Sequence, residues 1–211
     1  MRVDCRHSLH GLYALTDPGL QRPQDLLRRV EAVLSGGARL LQYRDKSASP
    51  RRWQEARRLA TLCHTRGAVF IINDDVELAA AVAADGVHLG RDDLSLREAR
   101  ARLGTRAIIG ISCYNELARA QVAAAGGADY VAFGRIYPSA TKPGAVHAPL
   151  ELLRVARGAL DLPIVAIGGI TPENARQVIA TGVDAVAVVN GVFGVPNPAL
   201  AARRIAQLFD D

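Results

Sequence analysis

Eight short, almost wholly apolar runs, each followed by a stretch with helical periodicity, limit what this chain can fold into more than any other feature. The runs cover residues 12–16, 40–44, 69–73, 86–89, 108–112, 130–134, 164–167 and 185–189. Strands that alternate polar and apolar residues have one wet face; unbroken apolar strands are buried on both faces, as in parallel sheets covered by helices. The intervening helical patterns cover 25–35, 50–66, 76–84, 96–103, 116–125, 150–159, 172–181 and 198–209. Thr171-Pro172 and Asn197-Pro198 each place a capping residue before a proline suited to the first helical turn. Gly-rich turns at Gly36, Ala84, Gly126 and Gly182 precede successive strands and read as helix ends followed by tight turns.

Eight such units use up all 211 residues. The expected architecture is a single-domain α/β chain, residues 1–211 forming one (β/α)8 TIM-barrel catalytic domain near the lower size limit of that fold. An open doubly wound sheet is the alternative. The absence of G-x-G-x-x-G after the first strand disfavours it.

Composition narrows the function. At 49% hydrophobic and 22% charged the chain can build a core, and 5% aromatic residues argue against a stacking platform for single-stranded nucleic acid. No apolar run approaches the roughly 20 residues of a membrane span, and the N-terminal stretch lacks a signal-peptide core, so a cytoplasmic protein without membrane contact is expected. Cys5, Cys63 and Cys113 are scattered, which fits a reducing compartment and neither disulfides nor zinc. The net charge of +5 resides mostly in arginines such as Arg28, Arg29, Arg51, Arg52, Arg57 and Arg58, on helical stretches read as solvated faces, and no nucleic-acid motif accompanies them. Of 26 basic residues only Lys46 and Lys142 are lysine, and both follow apolar strands. A lysine is a compact point charge that reaches crowded phosphates differently from a guanidinium.

In a barrel the chemistry gathers at the C-terminal strand ends. Asp74-Asp75 follows the third strand and Asp92-Asp93 the fourth. One carboxylate from each loop could hold a hard cation such as Mg²⁺ with positions open for water and phosphate; helix capping is the competing reading. Gly168-Gly169 after strand seven and Asn190-Gly191 after strand eight suit the monophosphate cradle of barrels. Arg44, Lys46 and Lys142 add more positive charge than one phosphate requires, which fits a diphosphate. His88, flanked by apolar residues, reads as a packed, hydrogen-bonded core histidine, Cys113 as inert, and Trp53 and Arg52 as surface or packing residues.

These motifs resemble the thiamine-phosphate synthase family from end to end. The matches are LYALTD at 12–17, QYRDK at 42–46, INDD at 72–75, GVHLGRDD at 86–93, GIS at 110–112, YVAFGRIYPSATKPGA at 130–145, AIGGIT at 166–171 and AVVNGVFG at 187–194. The resemblance implies an Mg²⁺-dependent transferase. It would join hydroxymethylpyrimidine pyrophosphate to hydroxyethylthiazole phosphate by a dissociative step, giving thiamine phosphate and pyrophosphate. Its partners would be small phosphorylated substrates. It further implies metal ligands at Asp74 and Asp93. Catalytic contacts would come from Arg44, Lys46, Ser112 and Lys142. Substrate contacts would come from Gln42, Tyr43, Arg44, Asp45, Lys46, Asn73, Ser112, Ser139, Ala140, Thr141, Lys142, Gly169, Val189 and Asn190. Tyr43 stands where leucine is commoner, Asn190-Gly191 replaces a more usual Ser-Ala, and the 143–149 loop is short. The rivals are a thiazole tautomerase of the same fold, which relies on a histidine where this chain has Tyr114, and a non-catalytic phosphate-binding barrel. Nothing in the sequence fixes the oligomeric state.

Overall fold

The computed structural model describes residues 9–47, 49–138 and 146–210. Eight parallel strands close on themselves: β1 (Gly11–Leu15), β2 (Leu40–Tyr43), β3 (Val69–Asn73), β4 (Gly86–Leu89), β5 (Ile108–Tyr114), β6 (Tyr130–Phe133), β7 (Ile164–Ile167) and β8 (Ala185–Val188). The open-sheet alternative fails because β1 pairs with β8, with Gly11 opposite Ala185 and Ala14 opposite Val188. Between and after the strands lie α1 (Leu26–Ser35), α2 (Arg51–Thr65), α3 (Val76–Ala81), α4 (Leu96–Leu103), α5 (Leu117–Ala125), α6 (Leu150–Ala159), α7 (Ala175–Ile179), α8 (Asn190–Phe193) and α9 (Pro198–Ala206), ending in a 3₁₀ turn at Gln207–Phe209. No helix among the described residues is long and apolar enough to cross a membrane.

The apolar runs are continuous because each strand has two dry faces. Along β1, Leu12 and Ala14 join the outer layer under the helices, whereas Tyr13 and Leu15 point into the barrel with Leu40, Ile71, Tyr130 and Val165. Each fully buried aliphatic side chain contributes about 1.5–3 kcal/mol, so closure is driven from both sides of the sheet. The interior is tight enough to dictate single residues. A Cβ on Gly110 would come within 1.9 Å of the Tyr130 ring, so glycine in β5 makes room for a large phenol from β6.

Three aspartates lock the end of the barrel opposite the mouth, a device the Gly-rich turns did not reveal. Asp85 accepts the Phe70 N–H at 2.7 Å, Asp129 the Ile109 N–H at 2.8 Å and Asp184 the Ile164 N–H at 2.7 Å. Each acid precedes one strand and closes the start of the neighbouring strand. A helix supplies the counter-group: His64 for Asp85, Arg100 for Asp129 and Arg157 for Asp184. Arg100 also donates to the Gly104, Ala107 and Gly127 carbonyls, tying α4 to the adjoining turns.

Helix boundaries differ from expectation in two places that bear on the site. The Thr171-Pro172 signal does not start α7. Asn174 accepts the Thr171 N–H at 2.8 Å through Oδ1 and donates to the Gly169 carbonyl at 3.0 Å through Nδ2, folding the segment into a turn before Ala175. The short α8 adds a helix to the eight expected; four residues carry too little periodicity to register in the sequence. Asn197 does cap α9, accepting the Leu200 N–H at 3.0 Å. Two arginines assigned to solvated faces are structural. Arg29 of α1 donates to the Phe193 carbonyl at the end of α8 and to the Val195 carbonyl beyond it, and Arg52 of α2 pairs with Asp75 at 3.0 Å. Trp53, 46% exposed, lies on the surface as expected.

The Asp129→Ala variant should lose about 2 kcal/mol or more of unfolding free energy, because the Ile109 N–H and the Arg100 guanidinium lose a largely buried acceptor. The exposed pair Arg154–Glu151 is the contrast: Glu151→Ala should change stability by no more than about 0.5 kcal/mol. Urea unfolding of both variants checks this. Equal effects would show that the turn aspartates are not locks.

Candidate active site

The strand ends open on a cavity of about 630 Å³ at the barrel mouth. Gln42, Arg44, Asn73, Ser112, Gly169, Val189 and Asn190 all line it. They lie at the ends of β2, β3, β5, β7 and β8 or just after them, positions up to 148 apart in sequence that parallel closure brings to one rim.

The two acid pairs divide their labour. Asp75 caps α3, its side chain accepting the Leu78 N–H at 2.9 Å. Asp74 takes a left-handed φ of 63°, sparsely populated for a residue with a Cβ, while its N–H donates to the His88 carbonyl of β4 at 2.9 Å. On the other loop, α4 is capped by a Ser95–Glu98 capping box and needs neither aspartate. Asp92 is exposed, and Asp93 accepts the Gly90 N–H at 2.6 Å. The capping reading therefore holds for Asp75 and fails for Asp93.

Asp74 and Asp93 are hydrogen-bonded to each other, and Lys46 Nζ reaches Asp74 Oδ2 at 2.9 Å. Burial pushes the Asp74 carboxyl up, but the Lys46 ammonium and the hydrogen bond with Asp93 outweigh it and hold the group below the usual carboxylate range. Asp93 moves the other way: burial raises it, the Gly90 N–H opposes, and the neighbouring Asp74 charge raises it further. Two adjacent carboxylates whose charges raise the cost of ionising one of them form a set that a divalent cation would satisfy. No third His, Cys, Asp or Glu joins them among the described residues. Such a donor set suits Mg²⁺, which keeps several waters and takes phosphate oxygens as further ligands.

Around the acids, Arg44 Nη1 lies 3.6 Å from Asp17 Oδ2, and its backbone N–H donates to Thr16 Oγ1 at 2.9 Å. Across the mouth, Gly169 takes a φ of 64°, and a Cβ there would meet the Pro138 carbonyl oxygen at 2.4 Å, so the loop after β7 packs directly against the segment after β6. Asn190 opens α8 with its Oδ1 turned toward Gly194; a Cβ on Gly194 would come within 1.8 Å of that oxygen. The side chain is folded onto its own helix.

Within the QYRDK segment Gln42 and Arg44 line the cavity, whereas Tyr43, Asp45 and Lys46 do not. Tyr43 is buried against α2 and its hydroxyl donates to Glu55 at 2.7 Å. Asp45 accepts the Ser47 N–H at 2.8 Å. Side chains alternate across a strand, so Gln42 and Tyr43 must point to opposite faces. Ser139, Ala140, Thr141 and Lys142 lie outside the described residues. Cys113 is buried, with its thiol pushed up to about 12 by desolvation, in keeping with an inert role.

The sequence reading missed part of the cavity floor. His88 is hydrogen-bonded as expected but also lines the cavity, together with Tyr13 and Tyr114. An alternating strand pattern was the available signal: His88 and Tyr13 occupy inward positions of β4 and β1. Tyr114, with a φ of 55°, accepts the Arg91 N–H at 3.2 Å and has the Arg91 guanidinium 4.9 Å from its ring centre.

Comparison with known proteins agrees with this geometry. The family model described as thiamine monophosphate synthase matches residues 12–192. The thiamine-phosphate synthase of Thioalkalivibrio sulfidiphilus is 60% identical over 203 residues, covering 96% of each chain. That of Nitrosococcus oceani is 57% identical, covering 96% of this chain and 94% of its own. Among solved structures, the thiamine phosphate pyrophosphorylase from Pyrococcus furiosus superposes with a TM-score of 0.88 at 35% identity, covering 97% of each chain. By sequence along nearly its whole length and by fold, this chain belongs to the thiamine monophosphate synthase family and is a transferase.

Proposed function

We propose that the chain condenses hydroxymethylpyrimidine pyrophosphate with hydroxyethylthiazole phosphate, releasing pyrophosphate and forming thiamine phosphate, with Mg²⁺ as cofactor and in the cytoplasm. The observation that carries this reading is the Asp74–Asp93 pair, bridged to Lys46, beside a cavity large enough for an aromatic ring. Relatives at 57–60% identity carry the corresponding name.

In this reading Asp74 and Asp93 would hold the ion, which would supply positive charge for a departing diphosphate. Lys46 and Arg44 move from their carboxylate partners to phosphate oxygens, and Lys142 adds a further cation. The methylene carbon–oxygen bond breaks with both electrons leaving on pyrophosphate, and the thiazole nitrogen forms the new carbon–nitrogen bond. Electrostatic stabilisation of the leaving group dominates, and little acid–base catalysis is required. Gln42, Asn73 and Ser112 hold the pyrimidine half. The backbone at Gly169, Val189 and Asn190, with Ser139, Ala140 and Thr141, holds the thiazole phosphate. Partners are small phosphorylated molecules; nucleic acid and membrane have no part in the reading. A tautomerase reading is disfavoured because Tyr114 occupies the position of the proton-transferring histidine and is engaged by the Arg91 backbone.

Purified protein with Mg²⁺ and both substrates should yield thiamine phosphate and pyrophosphate in equal amounts. No product beside an active control enzyme would contradict the proposal. The acids separate by role. Asp93→Ala should lower turnover by about 100-fold or more with little loss of stability. Asp75→Ala should keep turnover and lose about 1 kcal/mol of stability as a missing helix cap. Parallel kinetics and thermal unfolding check the pair; the opposite pattern would exchange the two assignments.

A further inference from the structure

Five side chains from five strands form one unbroken hydrogen-bond chain across the cavity floor. Gln42 Nε2 donates to Tyr13 Oη at 2.8 Å. Tyr13 Oη lies 3.0 Å from Tyr130 Oη, Tyr130 Oη 2.9 Å from His88 Nδ1, and His88 Nε2 2.8 Å from Ser112 Oγ. Tyr13 and Tyr130 are 1% and 0% exposed, and burial pushes both phenols above their ordinary range, so each carries its proton.

Counting protons gives the chain a direction. Tyr13 already accepts from Gln42, so its single proton goes to Tyr130. Tyr130 then donates to His88 Nδ1, which must be an unprotonated acceptor. The ring proton therefore sits on Nε2 and is donated to Ser112 Oγ. A doubly protonated His88, or one with its proton on Nδ1, would force Tyr130 to donate backward and leave the buried Tyr13 proton without an acceptor.

We infer that Tyr13, Tyr130 and His88 are positioning residues that polarise this chain so that its two cavity ends are unlike: an acceptor at Gln42 Oε1 and a hydroxyl donor at Ser112. Such a pair selects a flat heteroaromatic ring with an amino donor on one edge and a ring-nitrogen acceptor on the opposite edge, the pattern of a 4-aminopyrimidine. The inference rests on the pyrimidine reading above for its ligand, but the polarity itself belongs to the ligand-free protein. A ring with a carbonyl in place of the amino group would put an acceptor against Gln42 Oε1 and be rejected. Gly110 serves the same arrangement by clearing the space that the Tyr130 ring fills.

The test is the His88 tautomer in the full chain, ligand-free, read by ¹⁵N NMR at a pH where the ring is neutral. His88 is one of 5 histidines, and its signals are assigned by their loss in His88→Gln. Wild-type protein should show a protonated Nε2 and an unprotonated Nδ1. Gln42→Glu offers Tyr13 only acceptors, so every donor in the chain reverses and the two ring-nitrogen signals should exchange character. Adding Tyr130→Phe severs the chain and should abolish that exchange. A wild-type proton on Nδ1, or an unchanged tautomer in folded Gln42→Glu, overturns the inference. The wild-type spectrum alone can do so if the variant does not fold. None of these readings depends on turnover, so failure here and failure to form thiamine phosphate are separate results.

Discussion

Parallel closure of the sheet is the constraint on which the rest depends. Once β1 pairs with β8, every strand runs toward the same rim, and residues as distant as Gln42 and Asn190 must share one cavity. The closed sheet also decides which acids meet. Asp74 and Asp93 follow adjacent strands, and the Asp74 N–H is tied to the His88 carbonyl of the neighbouring strand, so the loops after β3 and β4 are held edge to edge. The left-handed backbone of Asp74 is tolerated because this bond, the Asp75 cap and the Lys46 contact all hold it in place.

The opposite end of the barrel is organised for stability. There the aspartates at 85, 129 and 184 close strand starts with helix-borne partners, arginines for two of them and His64 for Asp85, and no cavity residue takes part. The separation lets the mouth keep costly features, such as two adjacent carboxylates, that would be expensive in a structure without such support. The barrel interior is not uniformly apolar either. Its upper layer carries a polar chain in which both phenols and both imidazole nitrogens have partners, and a fully satisfied network of this kind fixes side-chain geometry.

What could be read from the sequence follows from periodicity. All eight strands were legible because buried parallel strands are apolar on both faces, and that pattern has few competitors. The acid and glycine loops were legible because their position after a strand gives them meaning in a barrel. Contacts between distant side chains were not. Ala-Asp or Val-Asp before a strand looks like a turn whether or not its carboxylate reaches the neighbouring strand, so the three locks were invisible. Arg29 and Arg52 have the helical spacing of solvated residues, and only the tertiary fold brings carbonyls or Asp75 to them. Tyr43 lies within a motif whose neighbours face the cavity, yet strand alternation turns it outward. His88 was correctly read as hydrogen-bonded, but its apolar flanks reflect the strand it sits on and concealed its place on the cavity floor.

The most direct test of this account is a crystal structure of the full chain with Mg²⁺ and pyrophosphate. A single ion touched by both Asp74 and Asp93, with Lys46 transferred from Asp74 to a phosphate oxygen, is the predicted result. An ion held by only one of these acids, or a diphosphate bound away from the rim they share, would contradict it.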